Sequence, residues 1–591
     1  MARAWRPCAL PRRPDRPQDR IFEHRRGIIV THFAELRAVW DELTAPGGRY
    51  ETHVVKDGGV PRLAYKAAAA TLRDLWIDAA MRFADRPCLV FGGERLTYGD
   101  AFRQSERIAA WMQAQGIGKG DRVAIAMRNY PEWMLIYWAG VLAGATICGF
   151  NAWWSTSEMA GVEAATKPKI LFVDAERLER ARSYREPGAA GILVVLRSAA
   201  AGEDLVSWST VADHCGTPIL PPLGADDAAC IFYTSGTSGT PKAAVLTHQA
   251  CVTNILNILF AAEVQGIATA RATAMPLPAA APPVALVTTP LFHVTANNCC
   301  AQVAAVLGGT IVLMYKWDAA EALALVEREG VTMISGTPVM HRELVLHSRF
   351  NDVDLSSLGA FSGGGASLPP DILARIEDSS LTARASSGYG MTEASGAIAS
   401  IAGDFFAAKP TSCGRILPAF EYRVVGDDAQ DVAPGERGEL WVRGASVIAG
   451  YLDATGSAID PLPGGWLHSG DIVTIDTDGF VHIVDRKKDM ILRGGENIAC
   501  VEVEAAIYEL GEVAECAVFA IPDARLGEIV GAAVYPHEGA VLDPETVAAH
   551  CAGRIAAYKI PERIWILDMP IPRGASGKLL KRDLGRLLLE D

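Results

Sequence analysis

The sequence predicts an α/β protein: layered α/β architecture with largely parallel sheets, then a β-rich part, then a small domain beyond a hinge. Three observations predict it. Short apolar runs bounded by turn formers alternate with helical-period segments through the first half. After about residue 415, strand-like runs are joined by tight turns. The charge-dense stretch DRKKDM (485–490) then separates these from a segment with its own α/β pattern. A chain of 591 residues is too long for one core. The expected division is 1–29, a disordered extension or an over-extended start; 30–487, a large domain; and 488–591, a small one.

The elements follow in order. Arginines at 3, 6, 12, 13, 16, 20, 25 and 26 lie among prolines with no apolar signal-peptide core, and Asp15, Asp19 and Glu23 count against a transit peptide. A disordered tail, or an over-extended start with translation beginning near Val30, is expected. Leu72, Leu75, Trp76, Ala79, Ala80 and Phe83 recur at helical spacing, and CLVF (88–91) reads as a strand. DRVAIAM (121–127) is a strand, 130–144 a helix, and 145–150, 169–174 and 191–196 are further strands. Residues 272–315 carry no Asp, Glu, Lys or Arg, and Leu291–Tyr315 is long enough to cross a bilayer. His293, Asn297, Asn298, Gln302 and the Gly308–Gly309 break argue instead for a buried helix and then a buried strand. FEYRVV (420–425), GELWVRG (438–444) and DIVTIDTDGFVHIVDR (471–486) read as antiparallel strands. Asp476–Gly479 begins like a calcium loop but lacks the later ligands, so it reads as a hairpin turn. VEVEAAIYEL (501–510) is helical; CAVFAI (516–521) and AAVY (532–535) are strands.

Net charge is −14, which argues against a nucleic-acid partner. The 12 cysteines form no C-x-x-C pair and no cluster at metal-ligand spacing, which fits a reducing cytoplasm. A soluble protein is expected, with peripheral membrane contact and a homodimer left open.

Chemistry concentrates in four stretches. In YTSGTSGTPKAAVLTH (233–248), two apolar runs flank a loop in which Gly236 and Gly239 allow positive φ, so backbone N–H groups can converge on an anion. Thr234, Ser235, Thr237, Ser238 and Thr240 add hydroxyls, and Lys242 adds a positive charge. Such a loop suits phosphate, although its spacing is not that of a Walker motif. SSGYGMTEASG (386–396) places glycines around Tyr389, then Thr392 and a lone carboxylate, Glu393. GWLHSGDIV (465–473) carries Asp471, and Arg486 lies one hairpin later, so both could flank one ligand. PRGASGKLLKR (572–582) is a glycine-framed loop around Lys578.

Taken together, these stretches resemble the adenylate-forming superfamily: acyl-CoA synthetases, coumarate–CoA ligases, luciferases and the adenylation domains of peptide synthetases. The resemblance spans roughly residues 70–585. It implies a large N-terminal region of two layered α/β subdomains plus a β-rich subdomain, with 30–487 the adenylation domain, and a small mobile α+β C-terminal domain, 488–591, turning about Lys488. It implies ATP, Mg2+ and, as co-substrate, CoA. Lys578, Thr237, Lys242 and Glu393 match catalytic positions, with Glu393 the magnesium ligand. Thr234, Ser235, Gly236, Ser238, Gly239, Gly388, Tyr389, Gly390, Thr392, Asp471 and Arg486 match nucleotide contacts. His293, Gly364, Gly365 and Ala366 match the acyl pocket, which SGTPV (335–339) also lines, and Gly494 and Gly495 match the channel for the thiol arm. These acyl stretches hold no charge to grip an ammonium, which disfavours amino acids. NAWWSTSEM (151–159) and DRKKDMILRGGENI are most similar to medium- and long-chain fatty acyl-CoA synthetases. The expected function is therefore ATP-dependent fatty acyl-CoA synthesis through an acyl-adenylate. Alternatives are an acyl-AMP ligase loading a carrier protein, an aromatic or polycyclic acid–CoA ligase, and a fatty-acid transport or binding protein without turnover.

Overall fold

The apolar runs of the first half become the parallel centres of two large sheets. A computed structural model describes residues 32–57, 59–186, 191–200, 202–234, 241–277, 281–364, 372–373, 375–376, 383–453, 455–456, 459–494, 496–573 and 581–590. Arg122–Ala126, Thr146–Gly149, Ile170–Asp174, Ile192–Leu196 and Leu205–Ser207 run parallel in a nine-stranded sheet. Ala228–Thr234 joins it in parallel beside Thr146–Gly149, and Lys242–Thr247 turns back antiparallel. Ile170–Asp174 is buried at every position, because helices cover both faces; hence the unbroken apolar run rather than an alternating one. The helix Pro131–Ala143 is likewise buried all round. Pro131 starts it, Gly144 at φ 74° stops it, and Trp138 stacks on Trp76 at 4.7 Å.

The second sheet has thirteen strands. Pro87–Phe91, Thr310–Leu313, Val284–Val287, Met333–Gly336, Ala360–Gly364 and Arg384–Met391 are its parallel centre. The β-rich segment does not stand apart from it. Gly414–Ile416 pairs with Gly396–Ala402 on one side and with Phe480–Arg486 on the other, so the antiparallel strands continue the same sheet. Gly450–Leu452 crosses to the first sheet and pairs with Lys242–Thr247. Pairings between such distant segments leave no local pattern in sequence.

The charge-free stretch becomes short buried helical turns, Val294–Ala296, Asn297–Ala301 and Gln302–Val306, and then the strand Thr310–Leu313. One helix among the described residues, His248–Thr273, is long and apolar enough to cross a membrane, but much of it is packed inside the protein. Residues 1–29 lie outside the described residues. Just beyond them a helix over 32–44 buries Leu36 and Val39 and sets Trp40 against Phe260 at 4.7 Å.

The small domain has its own sheet of Glu496–Ile498, Ile491–Arg493, Gly527–Pro536, Val513–Asp523 and Arg563–Ile566. Its apolar clusters, one around Val503, Val518 and Val534 and one around Phe519, Ile571 and Leu584, contain no residue before Ile491.

Candidate active site

The glycine- and hydroxyl-rich loop lies between Thr234 and Lys242, which face each other in the antiparallel register. Ser235, Gly236, Thr237, Ser238 and Gly239 lie outside the described residues. Lys242 is exposed, with its Nζ 5.3 Å from the centre of the Tyr451 ring. Tyr451 arrives there because its strand pairs Tyr451 with Ala244. Its hydroxyl donates to Glu393 Oε1 at 3.0 Å, and burial, then the Glu393 charge, push the phenol well above its ordinary pKa. The phenol therefore stays a donor. Lys242, Tyr451 and Glu393 form one chain of contacts across three segments.

Glu393 sits in the one-turn helix Thr392–Ala394 that ends the strand Arg384–Met391. A bulge between Tyr389 and Gly390 brings that strand so close to the next that a Cβ on Gly390 would lie 1.9 Å from the Gly396 carbonyl oxygen. Only glycine fits. Gly388 pairs with Gly364, the last residue described in its loop; Gly365 and Ala366 lie outside the described residues.

The turn rests on a buried polar bed. Asn254, Asn297, Asn298, Gln302 and Ser395 are all fully buried. Asn298 Nδ2 donates to the Ser395 carbonyl at 3.1 Å, and Asn254 Nδ2 donates to the Asn298 carbonyl at 3.1 Å. Asn254 Oδ1 accepts the Ala397 N–H at 2.9 Å. Gln302 Nε2 donates to Asn297 Oδ1 at 2.7 Å and to Asn298 Oδ1 at 3.2 Å. Asn297–Ala301 is a π-helical turn, the kind of irregularity that re-aims side chains at working sites. From above, Ser446 Oγ donates to the Ala394 carbonyl at 2.8 Å and the Ile448 N–H to the Glu393 carbonyl at 3.0 Å. The backbone that carries Glu393 is held on both sides.

A second cluster forms around Asp471, which is 3% exposed. Its Oδ2 accepts the Tyr389 hydroxyl at 2.7 Å, and its Oδ1 lies 3.3 Å from Arg486 Nε, directly across the hairpin. Burial, then the Asp471 charge, hold the Tyr389 phenol protonated. Each carboxylate oxygen has two lone pairs, so both can still accept from a ligand.

His293 is half-buried against Phe292, ring centres 4.7 Å apart, and Phe292 meets Trp153 at 5.2 Å. Asn129 ties this segment to the first sheet by donating to the Thr289 carbonyl and accepting the Leu291 N–H, both at 2.9 Å. Lys488 is exposed in the turn between Phe480–Arg486 and Ile491–Arg493. Gly494, at φ 58°, donates its N–H to the Leu526 carbonyl at 2.8 Å. Gly495 and Lys578 lie outside the described residues. Tyr451 and Asn254 carry no motif in the sequence, and Asn297, Asn298 and Gln302 stand out there only as signs of a buried helix. The bed had a signal, amides in a stretch without charge; Tyr451 had none beyond the glycine before it.

A carboxylate braced at one oxygen by a phenol suits Mg2+, which takes hard oxygen donors and often one protein carboxylate beside phosphates and water. Among the described residues no group of three or more His, Cys, Asp or Glu could hold a metal alone. Glu393 fits the role of a single protein ligand.

Residues 77–452 match the family model described as AMP-binding enzyme, and 502–578 match that of the AMP-binding enzyme C-terminal domain. The chain is 35% identical to a feruloyl-CoA synthase of Amycolatopsis sp, over 84% of this chain and 94% of that protein. It is 30% identical to a long-chain-fatty-acid–CoA ligase of Bacillus subtilis, over 88% and 94%. Among solved structures it resembles an O-succinylbenzoate coenzyme A synthetase from Bacillus subtilis in complex with ATP and magnesium ion. That likeness has a TM-score of 0.71 and 25% identity, over 86% of this chain and 98% of that one.

Proposed function

This chain belongs to the AMP-binding enzyme family, and we propose that within it the protein joins an aryl-substituted carboxylic acid to CoA. As an AMP-forming acid–thiol ligase it works in two steps. A carboxylate oxygen attacks the α-phosphorus of ATP, the bond to the β-phosphate breaks, and pyrophosphate leaves. The CoA sulfur then attacks the acyl carbon, the bond to AMP breaks, and the thiol proton passes to solvent.

The observation that carries the residue assignment is the meeting of Lys242, Tyr451 and Glu393 beside the Tyr389–Asp471–Arg486 cluster. In our assignment, Lys242 and the hydroxyls and N–H groups of 234–240 neutralise the β- and γ-phosphates as charge builds on the leaving group. Removing one such donor from comparable sites costs about 3–4 kcal/mol. Asp471 accepts from the ribose hydroxyls, held in place by Tyr389 and Arg486, and the Tyr389 ring lies against the adenine. Glu393 would hold Mg2+, which supplies charge neutralisation on the phosphates when bound. Lys578 draws the substrate carboxylate toward the α-phosphate, where two anions otherwise repel. Gly494 and Gly495 admit the thiol arm after the small domain turns about Lys488. Its self-contained cores support that independence.

The sequence reading placed fatty acids first. Aryl acids move ahead because the 35%-identical relative is named for feruloyl-CoA and because Phe292 sets a flat ring against His293, with Trp153 packed on Phe292 in turn. The eleven described cysteines are free, which suits the cytoplasm. An acid panel scored by CoA-dependent AMP release tests the proposal. Phenylpropenoic acids are expected to give the highest kcat/KM, and turnover confined to long-chain fatty acids would reject the aryl assignment.

A further inference from the structure

Beneath the acyl-pocket glycines lies a histidine that the fold leaves unsatisfied. His341, on the helix Pro338–Leu346, has no exposed surface, and neither ring nitrogen has a hydrogen-bond partner among the described residues. Its ring meets Phe361 edge-on at 5.6 Å. It lies at the carboxyl ends of two neighbouring parallel strands, Met333–Gly336 and Ala360–Gly364, where open α/β sheets take their ligands. A Cβ on Gly336 would stand 3.2 Å from His341 Nε2, and one on Gly363 3.9 Å from its Cε1, so both strands present hydrogen where the ring lies. Thr288 is not a partner of either nitrogen; its hydroxyl donates to the Ser335 carbonyl at 2.6 Å. Thr289 Oγ1, beyond the next strand end, is also buried and has no partner among the described residues. Burial keeps the His341 imidazole neutral, its pKa drawn down to about 4. A neutral ring offers one donor and one acceptor, and leaving both unmet in the interior is costly enough that native proteins rarely do so.

We propose that His341 is a specificity residue that hydrogen-bonds an oxygen substituent, a hydroxyl or methoxy group, on the ring of the acyl substrate. A phenol suits it best, since it can donate to the bare nitrogen or accept from the N–H. The inference rests on the aryl-acid reading and sharpens it from aryl acids to ring-oxygenated ones.

The test is a matched series, 3-phenylpropenoic acid with its 4-hydroxy and 4-hydroxy-3-methoxy derivatives, assayed on wild type, His341→Leu and His341→Gln. Wild type is expected to favour the oxygenated acids. His341→Leu should lower their kcat/KM about 10- to 100-fold while sparing the unsubstituted acid, and His341→Gln should keep part of the preference. An equal loss on all three acids, or an unchanged ratio, would assign the histidine to packing alone and overturn the proposal. Should His341→Leu not fold, His341→Met against His341→Gln makes the same comparison. If wild type turns over fatty acids and no aryl acid, the aryl reading fails; chains with and without a distal hydroxyl then decide the role of His341 separately.

Discussion

Replacing Asn254 by alanine removes one side chain and takes a partner from two backbone groups. Asn254 donates to the Asn298 carbonyl at 3.1 Å, in the fully buried interior, and accepts the N–H of the half-buried Ala397 at 2.9 Å. An unsatisfied buried acceptor costs about 1–3 kcal/mol, so the Asn298 carbonyl alone sets a loss of that size. That is a sizeable part of the ~5–15 kcal/mol by which a domain is stable. The strain falls on Ser395–Ala397, directly after Glu393, so the loss should reach the chemistry as well as the fold. Urea denaturation followed by circular dichroism should show a lower midpoint for the large domain. A Mg2+ titration of pyrophosphate release should show half-saturation shifted upward several-fold. Asn254→Asp, which keeps the acceptor and loses the donor, should fall between alanine and wild type. An alanine variant with the wild-type midpoint and the wild-type Mg2+ dependence would refute the view that this bed holds the carboxylate.

Three further outcomes are expected. Tyr451→Phe keeps the ring beside Lys242 but removes the hydroxyl from Glu393, so KM for magnesium-bound ATP should rise several-fold while KM for the acid stays fixed; initial-rate kinetics check this. Lys578→Ala should abolish acyl-adenylate formation yet largely spare thioester formation from supplied adenylate, and equal loss in both half-reactions would count against domain alternation. His248 is buried and its Nδ1 accepts the Leu72 N–H at 3.3 Å, which requires the neutral ring; burial holds its pKa down to about 4. Its folded pKa lies below the unfolded one, so stability is whole above pH 6.5 and falls as pH drops toward 4, by roughly 3 kcal/mol. His341 titrates in the same window, so His248→Gln should reduce the slope of stability against pH there without abolishing it.

How much of this was legible in the sequence depended on whether a signal was local. The strands Arg122–Ala126, Ile170–Asp174 and Ile192–Leu196 announced themselves, because a strand buried on both faces must be apolar throughout. The Asp476–Gly479 turn was readable because Gly479 needs φ 83° and Asp476 accepts the N–H groups of Asp478 and Phe480. The pairing of Asp471 with Arg486 could be expected from a single hairpin, and the register brings them face to face. What stayed hidden needed distant strands to meet. Tyr451 reaches Glu393 only because Gly450–Leu452 leaves the β-rich segment and pairs with the strand after the phosphate loop. The amides at 297, 298 and 302 looked like interruptions in an apolar run, and read alone they argued only against a membrane span. Packed together they satisfy one another and the turn after the strand that carries Tyr389. The same logic separates them from His341: a buried polar group that the fold satisfies is scaffold, whereas one that the fold leaves unsatisfied beside two glycines is where a substrate oxygen should be sought.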